Sequence, residues 1–164
     1  MNISSLLKAV LRAVPASAPA AAASSAAVLA TVAACGALEN GNALAPINGI
    51  THVFYGHEAF GRAAGTWSAR NLLRYTLPAL AWNTFALWGW AIGHELLCNR
   101  SRGGSRRRAL LCGVLVSLLA YVVDYKLVSP RWTPGIEAHL SKKSLFAAYV
   151  ALALGLALAP ERRE

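Results

Sequence analysis

Residues Ala109–Val128 read ALLCGVLVSLLAYVVDYKLV. Apart from Ser117, Asp124, Lys126 and two tyrosines the run is apolar, so a helix built from it has no polar face to offer water. Its length as a helix is about 30 Å, the thickness of a bilayer's hydrocarbon core. Pro130 closes it. The stretch therefore predicts a helix whose solvent is lipid, and it points to an all-α membrane protein.

Three further blocks of the same character follow from working outward. Upstream lies Tyr75–Leu97 (YTLPALAWNTFALWGWAIGHELL), with Pro78 in its first turns, where a missing N–H costs least. Trp67 and Tyr75 suit the interface at its start, and Trp82, Trp88 and Trp90 suit packing deeper in. Downstream lies Ser144–Ala159 (SLFAAYVALALGLALA), a short span whose flanking Lys142, Lys143, Arg162 and Arg163 can reach past the hydrocarbon edge. The first block, Ala20–Leu38 (AAAASSAAVLATVAACGAL), is almost all small residues, which predicts a helix packed closely against others. It also admits a second reading as the apolar part of an export signal, with Val32-Ala33-Ala34-Cys35 resembling a lipoprotein cleavage box.

Residues 1–14 put Leu6, Leu7, Val10, Leu11 and Val14 on one helical face and Lys8 and Arg12 on the other. This is a basic amphipathic helix suited to a membrane surface, ended by Pro15 and Pro19. The expected organisation is thus a surface helix over 1–14 and one four-helix transmembrane domain over 15–164. Its spans are at about 20–38, 75–97, 109–128 and 144–159.

Composition agrees: 56% of residues are hydrophobic and 14% are charged, against roughly 25% charged in a soluble domain. The net charge of +9 does not imply nucleic acid, because Arg100, Arg102 and Arg106 to Arg108 cluster between two apolar blocks. Membrane insertion selects that placement, with the dense loop in the cytoplasm. Both termini then lie on the cytoplasmic side of a bacterial inner membrane, and the polar segment Glu39–Ser68 faces outward. Cys35, Cys98 and Cys112 have no CxxC spacing and read as small hydrophobes.

That topology sorts the ionisable groups. Glu39, His52, His57, Glu58, Asp124, Glu137 and His139 fall outside; His94 and Glu95 fall inside. A cluster of His52, His57, Glu58, Asp124 and His139 is the candidate site. Its histidines lack the four-residue spacing of a helical metal pair, so no metal ligand, catalytic residue or cofactor is assigned. Hydrogen bonding of the imidazoles and Asn48 to the headgroup region is the plainer role. Asp124 calls for a partner, with Arg74, Lys142 and Lys143 nearest by topology. Asn83 and Thr84 suit hydrogen bonds to a neighbouring helix or the wall of a small cavity. Tyr121, Asp124, Tyr125 and Val128 form an aromatic-acidic strip, and Ser129–Gly135 a rigid turn with Trp132 at the interface.

The segments Gly41–His52 (GNALAPINGITH), Asp124–Lys126 and Thr133–Glu137 resemble those of small uncharacterised bacterial polytopic inner-membrane proteins. The resemblance implies a multi-pass inner-membrane protein and supplies no activity. Expected partners are the lipid bilayer and a second copy or another membrane protein, with no nucleic acid. Three function classes follow: a structural or accessory component, a small oligomeric transporter or channel-like protein, and a membrane-embedded metal-dependent enzyme.

Overall fold

The computed structural model describes residues 2–98 and 105–159, and among them every regular element is helical. Helix α1 spans Ile3–Ala16, α2 Ala18–Asn40, α3 Leu44–Gly49, α4 His52–Tyr55, α5 Ala69–Asn71, α6 Leu77–Cys98, α7 Arg106–Val122 and α8 Lys142–Leu158. A wide π turn, Leu72–Thr76, leads into α6, and another, Val123–Leu127, prolongs α7. Short 3-10 turns at Gly56–Phe60, Pro130–Trp132 and Ile136–Ala138 complete the connections.

The four long helices form a closed antiparallel ring in which α2 packs on α6 and α8, and α7 packs on the same two from the opposite corner. Small residues set the spacing of this ring. A Cβ on Gly155 of α8 would lie 2.4 Å from Ser24 Cα of α2, and one on Gly113 of α7 would lie 2.5 Å from the Ala153 carbonyl. The Ala-rich α2 is therefore a central packed helix, with Ser24, Ser25, Val28 and Val32 buried. Close backbone approach is what such residues permit.

Local signals explain the ends. Asn2 accepts from Ser5 N at 2.9 Å to start α1, and Ser105 and Ser141 cap α7 and α8 in the same way. Gly41 ends α2 in the left-handed region (φ 66°), which only glycine enters at no steric cost. Pro15, expected to end α1, lies inside its last turn. The chain turns instead at Ser17, whose hydroxyl donates to the Val14 carbonyl, and Pro19 sits in the first turn of α2.

Two of the expected crossings meet the length and hydropathy of a membrane span: Ala18–Asn40 and Arg106–Leu127. α6 is long enough at 22 residues but carries Asn83, His94 and Glu95, and α8 has only 17 residues. Four long helices in one bundle is what the fold gives.

The inside and outside of this bundle differ in an unusual sense. Outward faces carry Leu111, Leu115, Leu118 and Val122 on α7, and Phe146, Val150, Leu154 and Leu158 on α8, all exposed. Each set recurs every three or four residues, so each is one continuous apolar stripe. Inward lie alanine, glycine and serine, the valines and leucines Val28, Val32, Val116, Leu152 and Leu156, and the buried His94 and Glu95. The apolar face of α1 (Ile3, Leu6, Leu7, Leu11) is likewise uncovered, while its other side is held by the Trp88 indole, which donates to the Val14 carbonyl at 3.1 Å.

The polar segment after α2 folds as a cap over one end of the ring. Its Ile47, Ile50 and Val53 are buried, and its Phe54 is exposed.

Candidate functional site

The cap holds together through Asn48, the centre of its polar framework. Its amide donates to the Ala64 carbonyl at 2.7 Å, and its Oδ1 accepts from the Thr76 hydroxyl at 2.8 Å. Asn48 is fully buried, so the expected contact with lipid headgroups is corrected to an internal one. A buried amide is retained at such a point because it satisfies backbone groups that the irregular chain leaves open.

The five residues expected to form one site divide into three groups. Glu58 turns away from the histidines: its carboxylate pairs with Arg74 at 3.0 Å and accepts from the Tyr75 hydroxyl at 2.6 Å. Tyr75, expected at the membrane interface, is buried by this arrangement. Both Glu58 and Arg74 keep substantial contact with solvent, which limits the pair to a positioning role at the start of α6.

His52 is buried, and it stacks on Phe60 with ring centroids 5.0 Å apart. Its Nδ1 faces the Gly49 carbonyl at 3.1 Å and its Nε2 faces the Pro130 carbonyl at 3.2 Å, bridging the two halves of the cap. Gly135 (φ 81°) makes this bridge possible, because a Cβ there would meet the Gly49 carbonyl and His52 Nδ1 at 2.4 and 2.5 Å. His57 is exposed and touches only the edge of Phe60. His139 packs on Phe60 from the other side, with its Nε2 buried and without a hydrogen-bond partner. Burial accordingly pushes the His139 imidazole below its ordinary pKa. His52, His57 and Glu137 line an open groove of about 550 Å³ with Arg131.

Asp124 stands apart from the histidines, in the wide turn that extends α7. Its expected partners were Arg74, Lys142 and Lys143. The structure gives it the Tyr149 hydroxyl of α8 at 2.7 Å, and no ion pair with any of the three. Lys142 and Lys143 begin α8 two turns away from Tyr149, and Arg74 is taken by Glu58. The Tyr149 ring meets Tyr121 and Tyr125 edge to face, and Tyr125 donates to Glu137. The aromatic-acidic strip read from the sequence is present, completed by a tyrosine from α8.

Beside Asp124 is a cavity of about 90 Å³ between α2, α6, α7 and α8, walled by Trp82, Trp90, Trp132 and Tyr149. Asn83 lines it too and donates to Ser25 of α2 at 3.1 Å, while Thr84 shares a 2.8 Å hydrogen bond with the same serine. Both residues thus bond the neighbouring helix, and Asn83 of the two also lines the cavity.

Among the described residues no group of three or more His, Cys, Asp and Glu side chains is placed to hold a metal. Sequence reading passed over two participants. Tyr149 lies in a uniformly apolar block, where its hydroxyl is the signal of a required acceptor. Glu39 at the end of α2 accepts from Ser141 N at 2.8 Å and from the Ser141 and Ser144 hydroxyls, capping α8 from another helix. The chain matches no family model, no curated protein and no solved structure.

Proposed function

We propose that this protein is an integral membrane protein in which α2, α6, α7 and α8 all cross the bilayer. It serves as a structural or accessory component of a bacterial inner membrane. The observation that carries this reading is the continuous apolar stripe left exposed on the outer faces of α7 and α8. In water the arrangement would expose a large hydrophobic belt, whereas in lipid only the outer face has to be apolar.

That distinction also bears on α6. Its polar groups point inward: Asn83 bonds to Ser25, and His94 is buried against the Ala109 carbonyl at 3.1 Å. A whole-helix average counts them, although lipid would not meet them. α8 lies antiparallel between two longer helices of the ring, and Lys142 and Lys143 at its start can extend to the headgroups. The retention of α2 as a span is favoured by its place in the core, since removing it would uncover α6 and α8.

For orientation the argument is charge density. Arg106 to Arg108 are exposed at the start of α7. Arg100, Arg102, Arg162 and Arg163, which belong to the same side, lie outside the described residues. Charge density favours a cytoplasmic side for the connection between α6 and α7 and for both termini, with the cap outside.

The test uses single cysteines in a cysteine-free background, labelled by a membrane-impermeant thiol reagent. Gly61→Cys in the cap is expected to label in intact cells, and Gly104→Cys, outside the described residues, only after lysis. Labelling of Gly104→Cys in intact cells overturns the orientation, and release of the protein from membranes by alkaline carbonate overturns the crossing itself. An accessory role further predicts a protein that co-purifies after mild solubilisation; repeated recovery of the chain alone counts against it. The transporter reading has one specific observation in its favour, the cavity beside Asp124.

A further inference from the structure

Asp124 is a carboxylate on the wall of a largely apolar cavity, and the structure gives it a single neutral donor, the Tyr149 hydroxyl on Oδ2. No lysine or arginine among the described residues pairs with it. A charge in such surroundings calls for compensation, because burial away from water penalises an unpaired carboxylate. The wall itself indicates what kind of compensation fits. A metal ion such as calcium needs six to eight oxygen ligands, and the lining offers Asp124, Asn83, Thr133 and Tyr149 among mostly hydrocarbon. Three tryptophans also line the cavity, Trp82, Trp90 and Trp132, with the Trp82 and Trp132 rings 6.1 Å apart and inclined by 39°.

Indole faces carry negative quadrupole charge and attract weakly hydrated cations, and a carboxylate beside them fixes the charge in place. We propose that the cavity between α2, α6, α7 and α8 is a binding site for an organic cation, an alkyl- or arylammonium. Its charged nitrogen lies against Asp124 Oδ1, and its methyl or methylene groups lie on Trp82, Trp90 and Trp132. Asn83 and Thr133 supply hydrogen bonds for a ligand that retains N–H groups. The small volume admits the head of such a molecule, and the remainder leaves past Trp132, the lining tryptophan that is about half exposed. This inference goes beyond the bilayer reading and does not depend on orientation or on the number of crossings.

The experiment uses the full chain purified in a mild non-ionic detergent at neutral pH, titrated with benzyltrimethylammonium and, separately, with neopentylbenzene, its uncharged counterpart of the same shape. Tryptophan fluorescence reads occupancy, since three of the five tryptophans line the cavity. Saturable binding of the cation is expected, at least about tenfold tighter than the neutral molecule. Asp124→Asn is expected to remove that preference while leaving the neutral molecule unaffected, and Trp90→Leu to weaken the cation alone. Equal binding of the two molecules, absence of saturation, or an unchanged preference in Asp124→Asn overturns the proposal. Should Asp124→Asn fail to fold by circular dichroism, the wild-type comparison of cation and neutral molecule decides by itself. Thiol labelling in cells reads the bilayer proposal independently, so either idea can fail without the other.

Discussion

Replacing Gly155 by alanine adds one methyl group where α8 crosses α2. The new Cβ would lie 2.4 Å from Ser24 Cα, 2.8 Å from Ser24 N and 2.9 Å from Ser24 Cβ. Ordinary contact between carbons needs roughly 3.5–4.0 Å, and two of the three obstructing atoms are backbone, which cannot rotate away. The helices must therefore part by about an ångström or more. Overpacking of this kind costs about 1–3 kcal/mol, less the gain of up to about 1 kcal/mol that alanine brings to a helix over glycine. The matching control is Gly89→Ala on α6, where a Cβ meets nothing within 4 Å. There only the helix-propensity gain remains, and the variant should be more stable than the parent by about 0.5–1 kcal/mol. Reversible denaturation in mixed micelles, followed by circular dichroism, measures both. The expected pattern is a lowered midpoint for Gly155→Ala and a raised one for Gly89→Ala. Equal or greater stability of Gly155→Ala would refute the idea that glycine sets the α2–α8 spacing.

Other consequences are as direct. Asn48→Ala strands the Ala64 carbonyl and the Thr76 hydroxyl and should cost about 1–3 kcal/mol, with the cap losing amide protection before the ring does in hydrogen exchange. Glu39→Ala removes the acceptor of three hydrogen bonds at the start of α8, so the amides of Ser141 to Ser144 should exchange faster while α7 is unaffected. The burial of His139 favours its neutral form in the folded state, so the unfolded chain takes up the proton first as pH falls. Stability should decline as pH drops below the ordinary imidazole value of 6.5, and His139→Gln should flatten that part of a midpoint-against-pH profile; an unchanged slope removes His139 as its source.

How much of this could be read in the sequence follows from which property each feature depends on. The four long helices were legible because apolar length and small residues act locally: Ala20–Leu38 was correctly seen as a packed helix from composition alone. Helix limits moved by a turn where a neighbour decided them. Pro15 stayed helical because the Trp88 indole of a distant helix holds that turn. The candidate site was legible only as a list of residues. The order of the helices gathers Glu39, His52, His57, His139 and Asp124 at one end of the bundle, yet it carries no information on rotation about the helix axes. Glu58 therefore points to Arg74 and away from His57, and Asp124 finds Tyr149 (25 residues on) rather than a lysine. Glu39 was visible as an outer acid; its bond to the start of α8 spans 102 residues and has no sequence signature.

The helix that best separates composition from assembly is α6. Read as an isolated segment, Asn83 weakens its case as a membrane span; in the bundle, the same amide and Thr84 converge on Ser25 of α2. Asn83→Leu tests which view governs. The substitution makes α6 more apolar and should ease its insertion, while it deprives Ser25 of one of its two partners. Interhelical hydrogen bonds of this type contribute about 0.6 kcal/mol on average and up to about 1.7. A leucine side chain would in addition intrude on the cavity beside Asp124, which Asn83 lines. Asn83→Leu should therefore lower the denaturation midpoint in micelles despite its greater hydropathy, and Thr84→Val should lower it further, since valine takes away the acceptor of the Ser25 hydroxyl together with the bond to the Leu80 carbonyl. A raised midpoint for Asn83→Leu would mean that α6 is held by partitioning into lipid and not by its polar contact with α2.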